Sequence, residues 1–178
     1  MPNADMREPS RGERLLPSLL DRLSDDEPGE RRDPEHKRFA STKQLRQSVL
    51  RDLGWLLNSV RLSAMQDLSS YPHVTKSVLN FGLPDLTGRT ASSVDRSELE
   101  RQLRQAILHF EPRLLPDTLL VRVLTVPHES SHNHLPLGIE AKLIAHPVPL
   151  HVRLRSEIDL ETGEVSIAEW EHEQAREH

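Results

Sequence analysis

The sequence predicts an α+β fold in which N-terminal helices pack on a three- to four-stranded antiparallel sheet. Apolar residues recur at helical spacing through the first two-thirds of the chain. Between residues 119 and 167 the spacing changes to the alternation of strands. Helices and strands that are segregated along a chain in this way favour an α+β fold, with the helices laid on one face of the sheet.

Composition narrows the class of protein further. The 178 residues are 35 % hydrophobic and 3 % aromatic and include no cysteine. The core must therefore be built from Leu, Val and Ile, and disulfides, thiol catalysis and cysteine-type zinc sites are excluded. No apolar run approaches the roughly 20 residues of a membrane span, and residues 1–14 lack the apolar segment of a secretory signal. We expect a soluble, intracellular protein that does not insert into a membrane.

The charge is unevenly distributed along the chain. Residues 157–178 hold eight acidic residues and one basic residue, whereas residues 41–156 carry a net charge of +4. The overall value of −5 therefore reflects the C-terminal end. A body this weakly basic is poor support for nucleic-acid binding, and we expect no nucleic-acid partner.

The N-terminal part predicts one short helix between two polar segments. Residues 1–14 are expected to be disordered, and the charged segment 25–40, with two prolines and a glycine, predicts a linker. Residues 15–24 carry a leucine stripe at helical spacing. The stripe includes Leu15, Leu19 and Leu23. Because so short a helix is unstable alone, we expect it to bind a partner or to pack only loosely on the body.

The body of the chain, residues 41–168, opens with an amphipathic helix. Ser41 and Gln44 form a capping-box pattern that predicts where this helix begins. Its apolar face is predicted to contain Leu45, Val49, Leu53, Leu56 and Val60. Further on, residues 71–84 predict a short helical turn that ends at Gly82.

A second amphipathic helix follows, capped by Ser93 or Asp95. Pro112 is expected to end it near Phe110, because a residue that precedes proline avoids the α conformation. Glu111 should therefore lie on extended backbone.

Four strands are predicted after the second helix. They are residues 119–126, 137–145, 150–160 and a short last strand that contains Val165 and Ile167. The first is apolar on both faces, which favours a central position in the sheet. The last is expected to bury little and to leave an edge that another chain can pair with. A proline at Ser166 is expected to block that edge. Residues 169–178 predict an acidic, disordered tail.

A histidine-rich loop is predicted over residues 127–136. His128 and His132 have a spacing that would suit one face of a helix, but the nearby prolines exclude a helix there. With His134 and a single nearby carboxylate they do not complete a metal site, so we expect no metal and no other cofactor.

Catalytic patterns are equally weak. A paired-carboxylate hydrolase needs two suitably placed acidic residues. Glu111, at the end of a helix, is the best single candidate, and Asp117 is only a possible second. The chain contains no nucleophile elbow, phosphate-binding loop or dinucleotide fingerprint. We therefore expect no catalytic residues.

The most informative run is Glu111-Pro112-Arg113. It places a carboxylate and a guanidinium two residues apart, with a proline fixing the backbone between them. Such a pair can be an internal salt bridge that tethers the helix end. It can equally be a preorganised polar anchor at a subunit interface, since arginine binds carboxylates in a bidentate manner.

Three stretches of the sequence, taken in order, carry a resemblance to a known family. They are Arg14-Leu-Leu-Pro-Ser-Leu-Leu-Asp-Arg-Leu23 with the acidic residues after it, residues 71–86, and residues 107–114 with the strands that follow to the turn at 161–164. Together they resemble the TssE family of type VI secretion baseplate subunits. That family is related to the phage T4 baseplate wedge proteins, which carry a lysozyme-like label.

The resemblance implies a structural rather than an enzymatic role. It implies a wedge subunit that assembles with TssF-, TssG- and TssK-type subunits in a cytoplasmic baseplate docked at the inner membrane. It also implies contact with sheath subunits and help in starting sheath polymerisation. The family's Glu-Pro-Arg motif maps onto Glu111, Pro112 and Arg113, where it is associated with holding the subunit in the wedge. The lysozyme-like label leaves a peptidoglycan hydrolase as the alternative.

Overall fold

A computed structural model describes residues 18–23, 41–124, 133–145 and 148–170. The α-helices are α1 (Leu19–Leu23), α2 (Thr42–Leu57), α3 (Pro72–Thr75) and α4 (Arg96–Phe110), and short 3₁₀ turns lie at Leu62–Ala64, Val78–Asn80 and Pro116–Thr118. The strands are β1 (Leu120–Val123), β2 (His134–Leu143), β3 (Leu150–Asp159) and β4 (Val165–Glu169). Helices followed by an antiparallel sheet confirm the predicted α+β class. The predictions for residues 1–14, Leu15, the whole 25–40 linker, His128, His132 and most of the acidic tail lie outside the described residues.

The sheet is a four-stranded antiparallel meander with the order β1-β2-β3-β4. Strand β3 shows the predicted alternation, because Val152, Leu154 and Ile158 are buried while His151 and Arg155 are exposed. The buried side chains pack with the leucines of α2 and α4 in one apolar core. The core is thus aliphatic, as the composition predicted.

The central position predicted for the first strand is wrong. Among the described strands, β1 pairs only with β2 and lies at the edge of the sheet, and Leu120 is 52 % exposed. Strands β2 and β3 take the two central places, and β2 begins at His134, inside the predicted polar loop. Pro136 is tolerated there because β1 ends beside it, where its carbonyl accepts a hydrogen bond from Leu124 N at 2.8 Å.

The first body helix begins as predicted and ends earlier. The capping box is present, with Ser41 N donating to Gln44 Oε1 at 2.9 Å and Gln44 N donating to Ser41 Oγ at 3.2 Å. Helix α2 ends at Leu57, so Val60 is not part of its apolar face and is 52 % exposed. Instead Val60 forms a bridge with Leu83.

Helix α4 follows the prediction at both ends. Asp95 caps it by accepting a hydrogen bond from Glu98 N at 3.1 Å, and the last helical residue is Phe110. Between the two long helices, Gly82 has a φ of +120°, which disfavours any residue with a side chain. A Cβ atom there would lie 2.2 Å from Ser59 O, so this glycine also permits the close approach of two backbone segments.

Candidate interaction surfaces

The Glu-Pro-Arg run forms a turn directly after α4. Glu111 N donates to Ile107 O at 2.8 Å, and Leu114 N donates to Glu111 O at 3.3 Å. The prediction of extended backbone is therefore wrong, since the chain leaves the helix at Glu111 but turns over the next two residues. The turn brings the side chain of Arg113 back to Glu111, which is only 2 % exposed.

Arg113 joins three elements of the fold. Its guanidinium binds both carboxylate oxygens of Glu111, with Nε to Oε1 at 2.6 Å. It also donates to Ser48 Oγ at 2.9 Å and to Asp52 Oδ2 at 2.5 Å, two residues one turn apart on α2. Its backbone O accepts from Ile144 N at 2.8 Å, at the end of β2. These contacts are those of the internal tether, one of the two alternatives for this run.

Neighbouring charges keep Arg113 ionised. Burial would lower the pKa of Arg113, but the hydrogen bonds and charges of Glu111 and Asp52 outweigh it and raise that pKa above its ordinary value. Part of the guanidinium side chain remains accessible, with 23 % exposure, and Asp52 is 28 % exposed. The ion pair of Arg113 with Asp52 is therefore largely buried, but part of each side chain is exposed to solvent.

The polar contacts continue from Asp52 to the N-terminal helix. Arg51 Nε donates to Asp52 Oδ1 at 3.0 Å, and Arg51 Nη1 donates to Asp21 Oδ1 at 2.5 Å. Five side chains of alternating sign thus connect α1 to the turn after α4. We call them the charge network; its members are Asp21, Arg51, Asp52, Arg113 and Glu111. The sequence showed the last two, but the first three meet them only through the tertiary fold.

Helix α1 presents its leucines to solvent. Leu19 is 68 % exposed and Leu23 is 74 % exposed, so neither is buried on the body. The helix contacts α2 through Asp21 and Ser18 instead. The side chains of Ser18 and Leu20 also line a groove next to Glu111. The remaining lining residues are Asp52, Leu53, Trp55, Leu56, Phe81 and Phe110.

At the first residue of β4, the outward backbone groups are bonded by the side chain of Asn58, an arrangement that we call the clamp. Asn58, at the end of α2, accepts a hydrogen bond from Val165 N at 2.8 Å and donates one to Val165 O at 2.9 Å. Val165 itself is 6 % exposed, so the prediction that this residue buries little is wrong. Asn58 was not predicted as a site residue; an asparagine after a helix signals only a helix end.

Beyond the clamp, the outward backbone groups of β4 have no hydrogen-bond partner among the described residues, although Arg46 of α2 pairs with the side chain of Glu169, its Nε lying 3.3 Å from Oε1. Glu164 O and Trp170 N both bond to β3, so the even-numbered residues between them, including Ser166, face β3 as well. The N–H and C=O groups of Ile167 and Glu169 consequently point away from the sheet. A proline at Ser166 would break the β3–β4 ladder rather than block the edge; the blocking position is Ile167.

The opposite edge of the sheet, on β1, is covered by α4. Val123 N donates to Glu100 Oε1 at 2.7 Å. Arg104 Nε donates to Leu119 O at 3.3 Å. Because Glu100 and Arg104 lie one helical turn apart, α4 follows β1 and occupies both ends of its edge.

The described residues offer no metal centre. No group of three potential ligands among them could hold a metal ion. The one loop histidine that is described, His134, lies in β2, where its Nδ1 is 3.4 Å from Glu157 Oε1. Among the described helices, none combines the length and the apolar character needed to cross a lipid bilayer.

The fold and its surfaces define an α+β domain with a tethered Glu-Pro-Arg turn and one accessible sheet edge. A family model, the baseplate wedge protein gp25, matches residues 43–148. The chain belongs to that family and is a phage-tail-like baseplate component, which confirms the predicted resemblance at this level. The family implies association with other baseplate proteins. No curated protein and no solved structure matches the chain.

Proposed function

We propose that the chain is the wedge subunit of a type VI secretion baseplate. It assembles with TssF-, TssG- and TssK-type subunits on the cytoplasmic side of the inner membrane and helps to start the sheath. Membership of the gp25 family supports the baseplate role. The three stretches that resemble TssE support the particular machine.

The observation that carries the wedge role is the geometry of Arg113. The guanidinium is held by Glu111, Asp52 and Ser48, so its position is fixed before any partner arrives. Its side chain is nevertheless 23 % exposed. Because the Arg113 side chain is already ordered, it can bind a wedge subunit with little further loss of side-chain conformational entropy. The exposed leucines Leu19 and Leu23 supply a second docking surface near the same charges.

The accessible edge of β4 supports contact with the sheath. An extended segment of another chain can add to such an edge through main-chain hydrogen bonds. Because α4 occupies the other edge, the sheet can grow in one direction only. Ile167 is the first residue of β4 that faces outward beyond the clamp.

We also propose that the chain is not an enzyme. In the lysozyme-like alternative Glu111 would act as the catalytic acid, with a second carboxylate nearby. Glu111 is buried, and both it and Asp52 accept hydrogen bonds from the same guanidinium. These carboxylates are therefore occupied by the protein itself. A peptidoglycan-cleavage assay should give the same background rate for the natural chain and Glu111→Gln.

The wedge role can be tested at Arg113 by a substitution that keeps a positive charge in the internal tether. Arg113→Lys keeps a positive charge beside Glu111 but loses the planar fork. We expect a folded subunit whose co-purification with the wedge subunits is strongly reduced. Arg113→Ala removes the guanidinium and leaves the buried carboxylate of Glu111 without its partner, which should lower the free energy of unfolding by about 3–5 kcal/mol.

The matched control is Arg101→Lys. Arg101 pairs with Glu98 on the surface of α4, where both side chains are more than 40 % exposed. Exposed pairs of this kind contribute about 0–1 kcal/mol, so folding and assembly should be unchanged. If Arg113→Lys co-purifies as well as the control does, the motif is an internal tether and not an anchor.

A further inference from the structure

The side chain of Asn58 occupies the place of a neighbouring strand at Val165. A carboxamide has the same donor and acceptor as a peptide group, and here both are used on one residue of β4. Val165 therefore has the hydrogen bonds of a paired strand residue on its outer side, although within the described part of the chain the only strand next to β4 is β3, on the inner side.

Asn58 is held firmly in this position. It is the C-terminal cap of α2, and its backbone N donates to Gly54 O at 3.1 Å. Its Nδ2 also donates to Gly54 O, at 2.9 Å, in addition to Val165 O. With both donors and the acceptor engaged, the amide has one favourable orientation. The clamp thus connects the end of a helix to one defined position of the sheet edge.

We infer that Asn58 sets the register of strand addition, so that an added strand pairs with Ile167 and Glu169 and is excluded from Val165. This inference rests on the proposed contact between β4 and the sheath. In an antiparallel pairing the added strand uses the N–H and C=O groups of those two residues. It stops where the amide of Asn58 begins.

The side chains of β4 indicate the chemistry of the added strand. Ile167 packs against the apolar core, so an apolar residue is favoured directly opposite it. Glu169 already pairs with Arg46 of α2, whose Nε lies 3.3 Å from its Oε1, so it does not specify the charge of the residue opposite it. The expected segment therefore carries an apolar residue opposite Ile167. Two residues of pairing are too few to hold two free chains together, so the partner is a sheath subunit that the baseplate already holds nearby.

Amide hydrogen exchange tests the inference on the full chain, alone and with the sheath subunit. Alone, the Val165 amide should exchange slowly and the Ile167 and Glu169 amides quickly. With the sheath subunit, the latter two should slow at least tenfold while Val165 is unchanged. In Asn58→Ala, Val165 should exchange quickly alone and become protected in the complex, because the added strand gains one pair.

The possible outcomes distinguish the role of Asn58 in setting the register from the addition of a strand to β4. Fast exchange at Val165 in the natural chain, or an unchanged register in Asn58→Ala, overturns the role of Asn58. No slowing at Ile167 and Glu169 overturns strand addition itself. Slowing that depends only on the concentration of the chain makes a second copy the occupant and overturns the sheath assignment. Asn58→Asp keeps the acceptor for Val165 N and loses the donor to Val165 O, so Val165 should still exchange slowly in that variant alone, and Ser59→Ala, at the same helix end, is the control.

Discussion

The two edges of the sheet are closed by different means. On the β1 side, Glu100 and Arg104 of α4 bond to backbone groups at both ends of the strand. On the β4 side, the amide of Asn58 bonds to the backbone of Val165 and Arg46 pairs with the side chain of Glu169, but the outward backbone groups of Ile167 and Glu169 have no partner among the described residues. Edge strands invite pairing with other chains, and proteins usually block them. This domain bonds α4 to the backbone at both ends of one edge, and on the other edge only Val165 has its backbone groups bonded, by the end of α2.

The difference gives the sheet a direction. A subunit with two accessible edges could add strands on either side and could form open-ended assemblies. With β1 covered, growth is confined to β4, which suits a component that starts a polymer from a fixed base. Substitutions at the two edges should therefore have different effects. At β1 the outward backbone groups bond to side chains of α4, whereas at β4 those of Ile167 and Glu169 have no partner among the described residues.

The largest effect is expected from a proline at Ile167. Its N–H points outward, so Ile167→Pro should remove a donor for the added strand while the β3–β4 ladder stays intact. We expect the number of sheaths to fall severely and wedge co-purification to persist. Sheath counts in cells and pull-downs of the wedge measure the two effects.

Ser166→Pro is the matched control for that experiment. Its N–H faces β3, so the substitution removes a ladder bond and should lower the free energy of unfolding by roughly 1–3 kcal/mol. Thermal unfolding is measured for both variants, because Ile167→Pro also loses a side chain that packs against the core, and sheath counts are compared only where the chain is folded. Normal sheath numbers in a folded Ile167→Pro chain would show that the β4 edge is not used.

An intermediate effect is expected at the closed edge. Glu100→Ala leaves Val123 N–H without its partner, which should cost about 1 kcal/mol and expose part of β1. Glu100→Gln keeps an acceptor oxygen and is the control. We expect concentration-dependent self-association for the alanine variant only, measured by analytical ultracentrifugation. Equal behaviour of both variants would mean that α4 closes this edge by its bulk and not through Glu100.

How far the sequence predicts the helix caps, the strand positions and the site contacts depends on how far apart the interacting residues lie along the chain. Ser41 could be predicted as a helix cap, and Asp95 as one of two candidates with Ser93, because the partners of a cap lie three residues away. The position of β1 was missed because Leu120 is apolar although it lies on the exposed face of the strand, which gives the pattern of a strand covered on both faces. The strand assignment rested on local periodicity, which does not show what lies beside a strand.

The two candidate surfaces follow the same rule. Glu111 and Arg113 could be selected because they are two residues apart in an unusual run. Their partner Asp52 lies about sixty residues earlier in the sequence, on a helix whose apolar pattern gave no sign of the contact. Asn58 contacts Val165 across 107 residues, and its local sequence indicates only a helix end. Charge and amide contacts of this length are determined by the tertiary fold.

The smallest effect concerns the attachment of α1, which rests on side-chain contacts and not on a backbone ladder. Burial would raise the pKa of Asp21, but hydrogen bonds from Arg51 and Ser18 outweigh it and hold that pKa below its ordinary value of 3.8. Since the folded pKa is the lower one, the attachment is fully present above pH 4 and is lost as the pH falls through the folded pKa.

A titration of the Trp55 indole signal by NMR between pH 6 and pH 2 reports this loss. Trp55 is a suitable probe because Arg51 lies 5.1 Å from the centre of its ring, and Asp21 holds Arg51. We expect a small change in the natural chain at the acidic end of the range, and no corresponding step in Asp21→Asn, which cannot ionise. A step of equal size in both chains would assign the change to another carboxylate, and α1 would then be held by contacts other than this ion pair.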